Sequence, residues 1–413
     1  MKRVCRCLTF LVVVVSIAQS PVVGEDWPGW RGPRGDGTSL ETRVPTKWSG
    51  SDNVAWKTPV PGVGHSSPII WGDRIFLTAA LAETKDRVLL CFDRKNGKIL
   101  WQKTVLNAQL ETKNPENSYA SSTPITDGEN VYVAFLDGPE VVVAAYDFSG
   151  QRKWIARPGR FNSPWGFCHS PVLWDDKVLI ACCGGKSGFI AALGRLDGKT
   201  VWRVEPKHVG QAFSAPLVRE MAGRVQMIVP TNSMVASYDP KDGTVLWSTN
   251  GPSAEFVATP VFSEKAGLVL CASSWPARIL VAIKPDGEGD VTKQKVAWQT
   301  KQGAPYVPSP IAVGDYFLTS SYKRELYCYE AANGNIVWKQ EDVGMHHASP
   351  VTAGGLVYFL NDDGVMNVVK AGPKFEVVAK NELGEKTFAS PAISRGQIFL
   401  RSFSNLYCIG SGR

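Results

Sequence analysis

Histidine and cysteine are scarce in this chain: five and nine among 413 residues. The cysteines show no zinc-type spacing and no haem-attaching C-x-x-C-H, so neither a zinc module nor a c-type haem is encoded by motif. Nucleophile elbow, phosphate loop and zinc-protease signatures are also missing, which leaves the commonest hydrolytic and nucleotide chemistries without an anchor. Lys and Arg number 45 against 38 Asp and Glu, but they are interspersed. With no basic stripe and no nucleic-acid motif, nucleic-acid binding is not expected. Long apolar runs are missing too. The longest, Leu8 to Ala18, spans eleven residues and is too short to cross a bilayer.

That short run has a different meaning. Lys2, Arg3 and Arg6 precede it, and small residues ending in Val22-Val23-Gly24 follow it. The pattern predicts a secretory signal over residues 1–24 and places the rest outside the cytoplasm, in the periplasm, cell envelope or medium. No cysteine stands just after the run, so a lipid anchor is not expected. Without the leader's three cations the formal charge falls from +7 to +4.

Glycine and tryptophan, by contrast, are plentiful, at 39 and 14 residues. Together with short apolar runs they suggest an all-β chain rich in turns. A repeat makes this specific. A small residue followed by proline opens an apolar run at Pro68, Pro124, Pro171, Pro216, Pro260, Pro310, Pro350 and Pro391. The intervals range from 40 residues (Pro310 to Pro350) to 56 (Pro68 to Pro124). A period in the forties built from short strands predicts a β-propeller, one four-stranded blade per repeat. Proline has no N–H, so it suits the first residue of the innermost strand, whose edge faces the channel.

A second anchor alternates with the first. Tryptophan stands in an outer strand at Trp56, Trp101, Trp154, Trp202, Trp247, Trp298 and Trp338, and Val378 fills the eighth position. An indole there can wedge between diverging blades. The last repeat ends after three strands, while "NVAWKT" around Trp56 is a fourth strand with nothing before it. The N-terminal strand should therefore complete the last blade, giving a closed ring of eight blades over residues 51–410. Residues 25–50 are expected to form an extended leader packed by Trp27, Trp30 and Trp48. Within that leader, Arg34-Gly35-Asp36 reads as a turn. Cys91, Cys328 and Cys408, each in an apolar strand, are expected as buried small hydrophobes.

The runs "CFDRKNGKILW", "SYDPKDGTVLW" and "CYEAANGNIVW" resemble the PQQ-like (pyrroloquinoline-quinone-like) β-propeller repeat family. The resemblance covers nearly all of residues 51–410. Three places depart from it: Gly194 replaces the turn's Asp, "KPDGEGDVTKQK" lengthens one turn, and Val378 replaces a tryptophan. The resemblance implies one of two functions. One branch holds non-catalytic exported scaffolds, such as the lipoprotein of the outer-membrane β-barrel assembly machinery. The other holds alcohol and sugar oxidoreductases that use PQQ with calcium. In that branch a disulfide between adjacent cysteines covers the quinone, which would make Cys182 and Cys183 the cofactor-binding pair.

The five histidines, His65, His169, His208, His346 and His347, all lie within eight residues upstream of a proline anchor. That places them on the connections between blades, on one face of the disc. Trp165 and Tyr306 share those connections. Trp275, Tyr322 and Asp363 sit in the loops between second and third strands, which emerge on the same face. A channel mouth with ring-stacking and titratable groups can bind a ligand. The expectation is a scaffold that holds an envelope protein or small ligand there, with no cofactor of its own. No catalytic residue and no metal site is assigned.

Overall fold

The computed structural model describes residues 24–411 except 185–187, 207–210, 232 and 252. The expected secretory signal and His208 lie outside the described residues. Among the described residues there is no helix. The strands form eight antiparallel blades, which we letter A to D from the channel outward. In every blade the anchor proline immediately precedes strand A, as Pro68 precedes Ile69–Trp71 and Pro350 precedes Val351–Ala353.

The two ends of the ring meet as expected. Val54–Pro59 pairs antiparallel with Asn405–Ile409, setting Trp56 opposite Cys408 and Lys57 opposite Tyr407. It is strand D of the blade whose other strands come from the C-terminus. Closing the ring leaves no blade with an unpaired flank. Glu385, on the connection into this blade, reinforces the join by accepting hydrogen bonds from Asn405 Nδ2 and Tyr407 Oη and pairing with Lys57 at 2.6 Å.

The tryptophans explain how neighbouring blades grip each other. The indole N–H of Trp56 donates to the Arg94 carbonyl of the next blade at 2.9 Å, and that of Trp101 to Phe148 at 2.9 Å. Trp154, Trp202, Trp298 and Trp338 repeat the bond. The ring lies flat against the next blade's C–D turn, where a side chain would not fit. A Cβ on Gly97 would sit 2.5 Å from Trp56, and one on Gly334 2.5 Å from Trp298. Both glycines also have positive φ, so turn geometry and close packing demand the same residue. Burying such a ring contributes on the order of 2–3 kcal/mol.

Trp247 breaks the rule, and the lengthened turn explains why. Residues Gly289–Asp290 of that turn fold back and pair in parallel with Val245–Asn250, giving the fourth blade a fifth strand. The indole is then fully buried, and its N–H goes to Gln226 Oε1 of its own blade. The blade keeps its own four antiparallel strands, with this two-residue strand added at the outer edge. At Val378 the gap is shared with the leader: Trp48 packs into the same core, and its backbone N–H donates to Asn381 Oδ1.

The small residue before each proline has its own task. The Ser67 N–H donates to Thr123 Oγ1, and the Thr123 N–H to Ser170 Oγ. Thr259 is linked to Ser309, Ser309 to Ser349, Ser349 to Ser390, and Ser390 back to Ser67, all at 2.9–3.0 Å. A belt of hydroxyls thus joins strand A starts around the channel, interrupted at Ala215 of the fourth blade.

The leader runs beneath this belt. Trp27 exchanges backbone hydrogen bonds with Ile70, and Ser39 and Gly37 bridge to Thr352 on the opposite side. Trp30 Nε1 donates to Thr259 Oγ1. The buried Arg31 reaches the Pro310 carbonyl, and Asp36 pairs with Arg219 at 2.6 Å. Asp36 is thereby used inside the fold and not presented on its turn. With Trp30 as floor, the channel is a cup open on the opposite face.

Candidate functional site

The cup opens where the D–A connections and B–C loops emerge. Its water-accessible volume is about 220 Å³, and its lining is mostly apolar. The belt residues Thr259, Ser309, Ser349 and Ser390 form its lower wall, above Trp30. Four of the expected site residues, His65, Trp165, Tyr306 and His347, face it together.

The histidine face is held by aromatic stacking. His347 lies flat on Phe388, with ring centroids 4.0 Å apart and planes 19° apart. His65 is wedged against the same Phe388 at 5.1 Å and against Phe403 at 5.2 Å. Asp362 fixes His347 twice: one carboxylate oxygen accepts the backbone N–H and the other the Nδ1–H, both at 2.8 Å. This fixes the tautomer and turns Nε2 toward Glu116 Oε2, 3.6 Å away. Burial pushes the pKa of His65 down to about 3, with the Arg401 charge adding to the effect, so it stays neutral at ordinary pH.

The other expected residues are placed differently. His169 is buried behind the cup wall among Phe161, Phe167 and Phe213, its Nε2–H donating to the Ala212 carbonyl at 2.9 Å. His346 is buried as well, and burial pushes both residues down to about 4. Both packings are those of core imidazoles. Trp275, 59% exposed, and Tyr322, edge-on to Tyr306 at 6.0 Å, stand on the rim. Asp363 is exposed and away from the cup lining. Its neighbour Asp362 carries the contact to His347.

Several cup residues went unremarked in the sequence: Glu116, Glu255, Phe388 and the hydroxyl belt. A positional signal for them existed. Glu116 lies eight residues before Pro124, Glu255 five before Pro260, and Phe388 three before Pro391. The rule that collected the histidines collects these too when it is applied to every residue type.

A PQQ–calcium centre would require other surroundings. The quinone is a tricarboxylate, yet among the described residues no Lys or Arg lines the cup and two glutamates do. Calcium needs a cage of oxygen ligands. Among the described residues no three His, Cys, Asp or Glu side chains are grouped to hold a metal. Cys182 and Cys183 are both free thiols. Cys182 ends a B strand and packs in the core between the second and third blades, while Cys183 packs between the third and fourth. Their side chains point into opposite interblade cores, away from the channel. Burial pushes the Cys183 thiol up to about 12, and the Cys182 thiol is raised too. The residues present do not fit that cofactor.

Comparison with known proteins places these features in context. The family model described as outer membrane protein assembly factor BamB matches residues 46–156 and 139–372. A protein of that name from Shewanella oneidensis is 23% identical over 244 residues, 55% of this chain and 56% of its own length. The chain thus spans little more than half of that relative. The Yersinia pestis protein of the same name is 22% identical over 301 residues, 68% of this chain and 71% of that one. Among solved structures, BamB from Moraxella catarrhalis superimposes with a TM-score of 0.62 at 14% identity, covering 86% of this chain and 96% of that one. A quinohemoprotein alcohol dehydrogenase from Pseudomonas putida HK5 superimposes with a TM-score of 0.67 at 12% identity, covering 94% and 81%. At these identities the structural likeness establishes the fold and leaves function open.

Proposed function

The chain belongs to the BamB family of PQQ-like propellers, and from that premise we propose that it is an exported scaffold that docks an envelope protein on the mouth of its cup. The observation that carries this reading is the contrast between mouth and floor. Trp165, Trp275, Val63 and Phe403 are 40–59% exposed around one opening. The leader's own Trp27 and Trp48, by contrast, are buried against the blades. Exposed aromatics clustered at a cavity rim are the composition of an interaction hot spot. Relatives named as assembly factors of the outer membrane make an envelope protein the natural partner class. No helix among the described residues is long and apolar enough to cross a membrane.

The test is recovery of partners from the envelope fraction of the native cell. Wild-type protein is expected to retain a discrete set of proteins that the double variant Trp165→Ala/Trp275→Ala loses, while both melt alike. Equal recovery by wild type and variant would overturn the reading. A quinone oxidoreductase remains distinguishable from a scaffold by dye-linked alcohol oxidation after PQQ and Ca²⁺ are added, and none is expected.

A further inference from the structure

We propose that the cup seats a cationic side chain, a guanidinium or ammonium on an aliphatic stem, presented by the docked protein. This rests on the mouth-docking reading and names the chemistry of the contact. The first argument is charge. Two carboxylates, Glu116 and Glu255, line the cup, and among the described residues no Lys or Arg does. The carboxylate of Glu255 has no hydrogen-bond or ion-pair partner among the described residues, and burial alone raises its pKa. A half-buried carboxylate without a partner is costly by itself and gains most from an incoming cation. Among the described residues the Glu116 carboxylate is paired with His347 Nε2 alone, at 3.6 Å.

The second argument is the wall. Trp165, Tyr306 and Phe388 line the cup together with the carboxylates. Aromatic faces attract a desolvated cation through their quadrupole and accept an aliphatic stem at the same time. The third is the lower wall. Each linked hydroxyl of Ser309, Ser349 and Ser390 already accepts one backbone N–H, and its second lone pair can accept another donor. Three described cations of this region are engaged elsewhere. Lys113 Nζ donates to the Asn114 carbonyl and lies over Tyr119, and Arg278 lies over Tyr322. The buried Arg401 is held by Ser66 and the Thr78 carbonyl.

Calorimetric titration with an acetylated, amidated Gly-Arg-Gly peptide tests the proposal, beside its Gly-Lys-Gly and Gly-citrulline-Gly counterparts. The arginine and lysine peptides are expected to bind in about the millimolar range or tighter. Glu255→Gln is expected to weaken them about tenfold, and added salt to weaken them further. The neutral citrulline peptide, which keeps the shape without the charge, should not bind. Equal binding of citrulline and arginine peptides, or no binding of either cation, overturns the proposal. Binding of free arginine but not of the blocked peptide overturns the protein side chain as its source. Glu255→Gln must melt as wild type does; if it does not, Glu116→Gln replaces it with the same expected loss. The docking reading fails separately, when the Trp165→Ala/Trp275→Ala variant still recovers the same envelope proteins.

Discussion

The two ends of the channel are built from similar residues and put to opposite uses. On the floor, arginine, aspartate and tryptophan of the leader are all satisfied by the blades: Arg31 by the Pro310 carbonyl, Asp36 by Arg219, and Trp30 by Thr259. At the mouth a carboxylate and two tryptophans are left open. The Glu255 carboxylate has no partner among the described residues, and Trp165 and Trp275 are 44% and 59% exposed. A buried polar group costs free energy unless it is satisfied, so the floor is what a stable ring requires. The mouth is what a ring keeps available for something else. The leader causes the difference, because it covers one face only.

The largest effect expected is on the floor side. Removing residues 25–60 takes away the leader and the strand that completes the last blade, and should lower the melting temperature by at least about 10 °C or prevent folding. An unchanged melt would contradict the pairing of Val54–Pro59 with Asn405–Ile409. Next in size is the belt. Ser349→Ala removes the acceptor of the buried Ser309 N–H and should cost about 1–3 kcal/mol in denaturant unfolding. A loss no larger than that of an exposed control such as Leu40→Ala would show that the belt is incidental.

Acid should weaken the ring in two stages. His65, His169 and His346 are held neutral by burial, at about 3, 4 and 4. Below pH 6.5 the unfolded chain takes up protons that the folded chain refuses, so their contribution is complete above 6.5 and falls as pH drops toward 4. Glu385 follows. Burial pushes its pKa up, but hydrogen bonds from Lys57, Ser402, Asn405 and Tyr407 outweigh this and hold it at about 2. Its stabilisation is complete above about 4.5 and is lost toward 2. A melting temperature independent of pH from 7 to 4 would contradict the buried neutral histidines. The smallest effect belongs to the mouth: Trp275→Ala should change stability by less than about 0.5 kcal/mol while impairing partner recovery.

How much of this the sequence disclosed depends on whether a feature repeats. The proline and tryptophan anchors recur with every blade, so the blade count and the closure by "NVAWKT" could be read directly. The belt repeats as well, but a serine before proline has an ordinary turn explanation, and only the neighbouring blade reveals its acceptor. The cup does not repeat. Asp362 and Asp363 are adjacent in one turn, and nothing in "NDDG" says which carboxylate folds back onto His347. His169 and His346 occupy the same kind of connection as His65 and His347, yet are buried, His169 among Phe161, Phe167 and Phe213 and His346 edge-on to Phe359. The extra strand at Gly289–Asp290 was visible only as an overlong turn, since strand addition depends on the open edge beside it.

Site-specific photo-crosslinking in the intact exported protein tests the division between the two faces most directly. One crosslinker replaces Trp275 on the mouth, and a second replaces Leu196, 85% exposed on a C–D turn of the floor face. The mouth position is expected to yield a discrete crosslinked envelope protein, and the floor position none. A crosslink from Leu196 with none from Trp275 would contradict the assignment of binding to the open end of the cup.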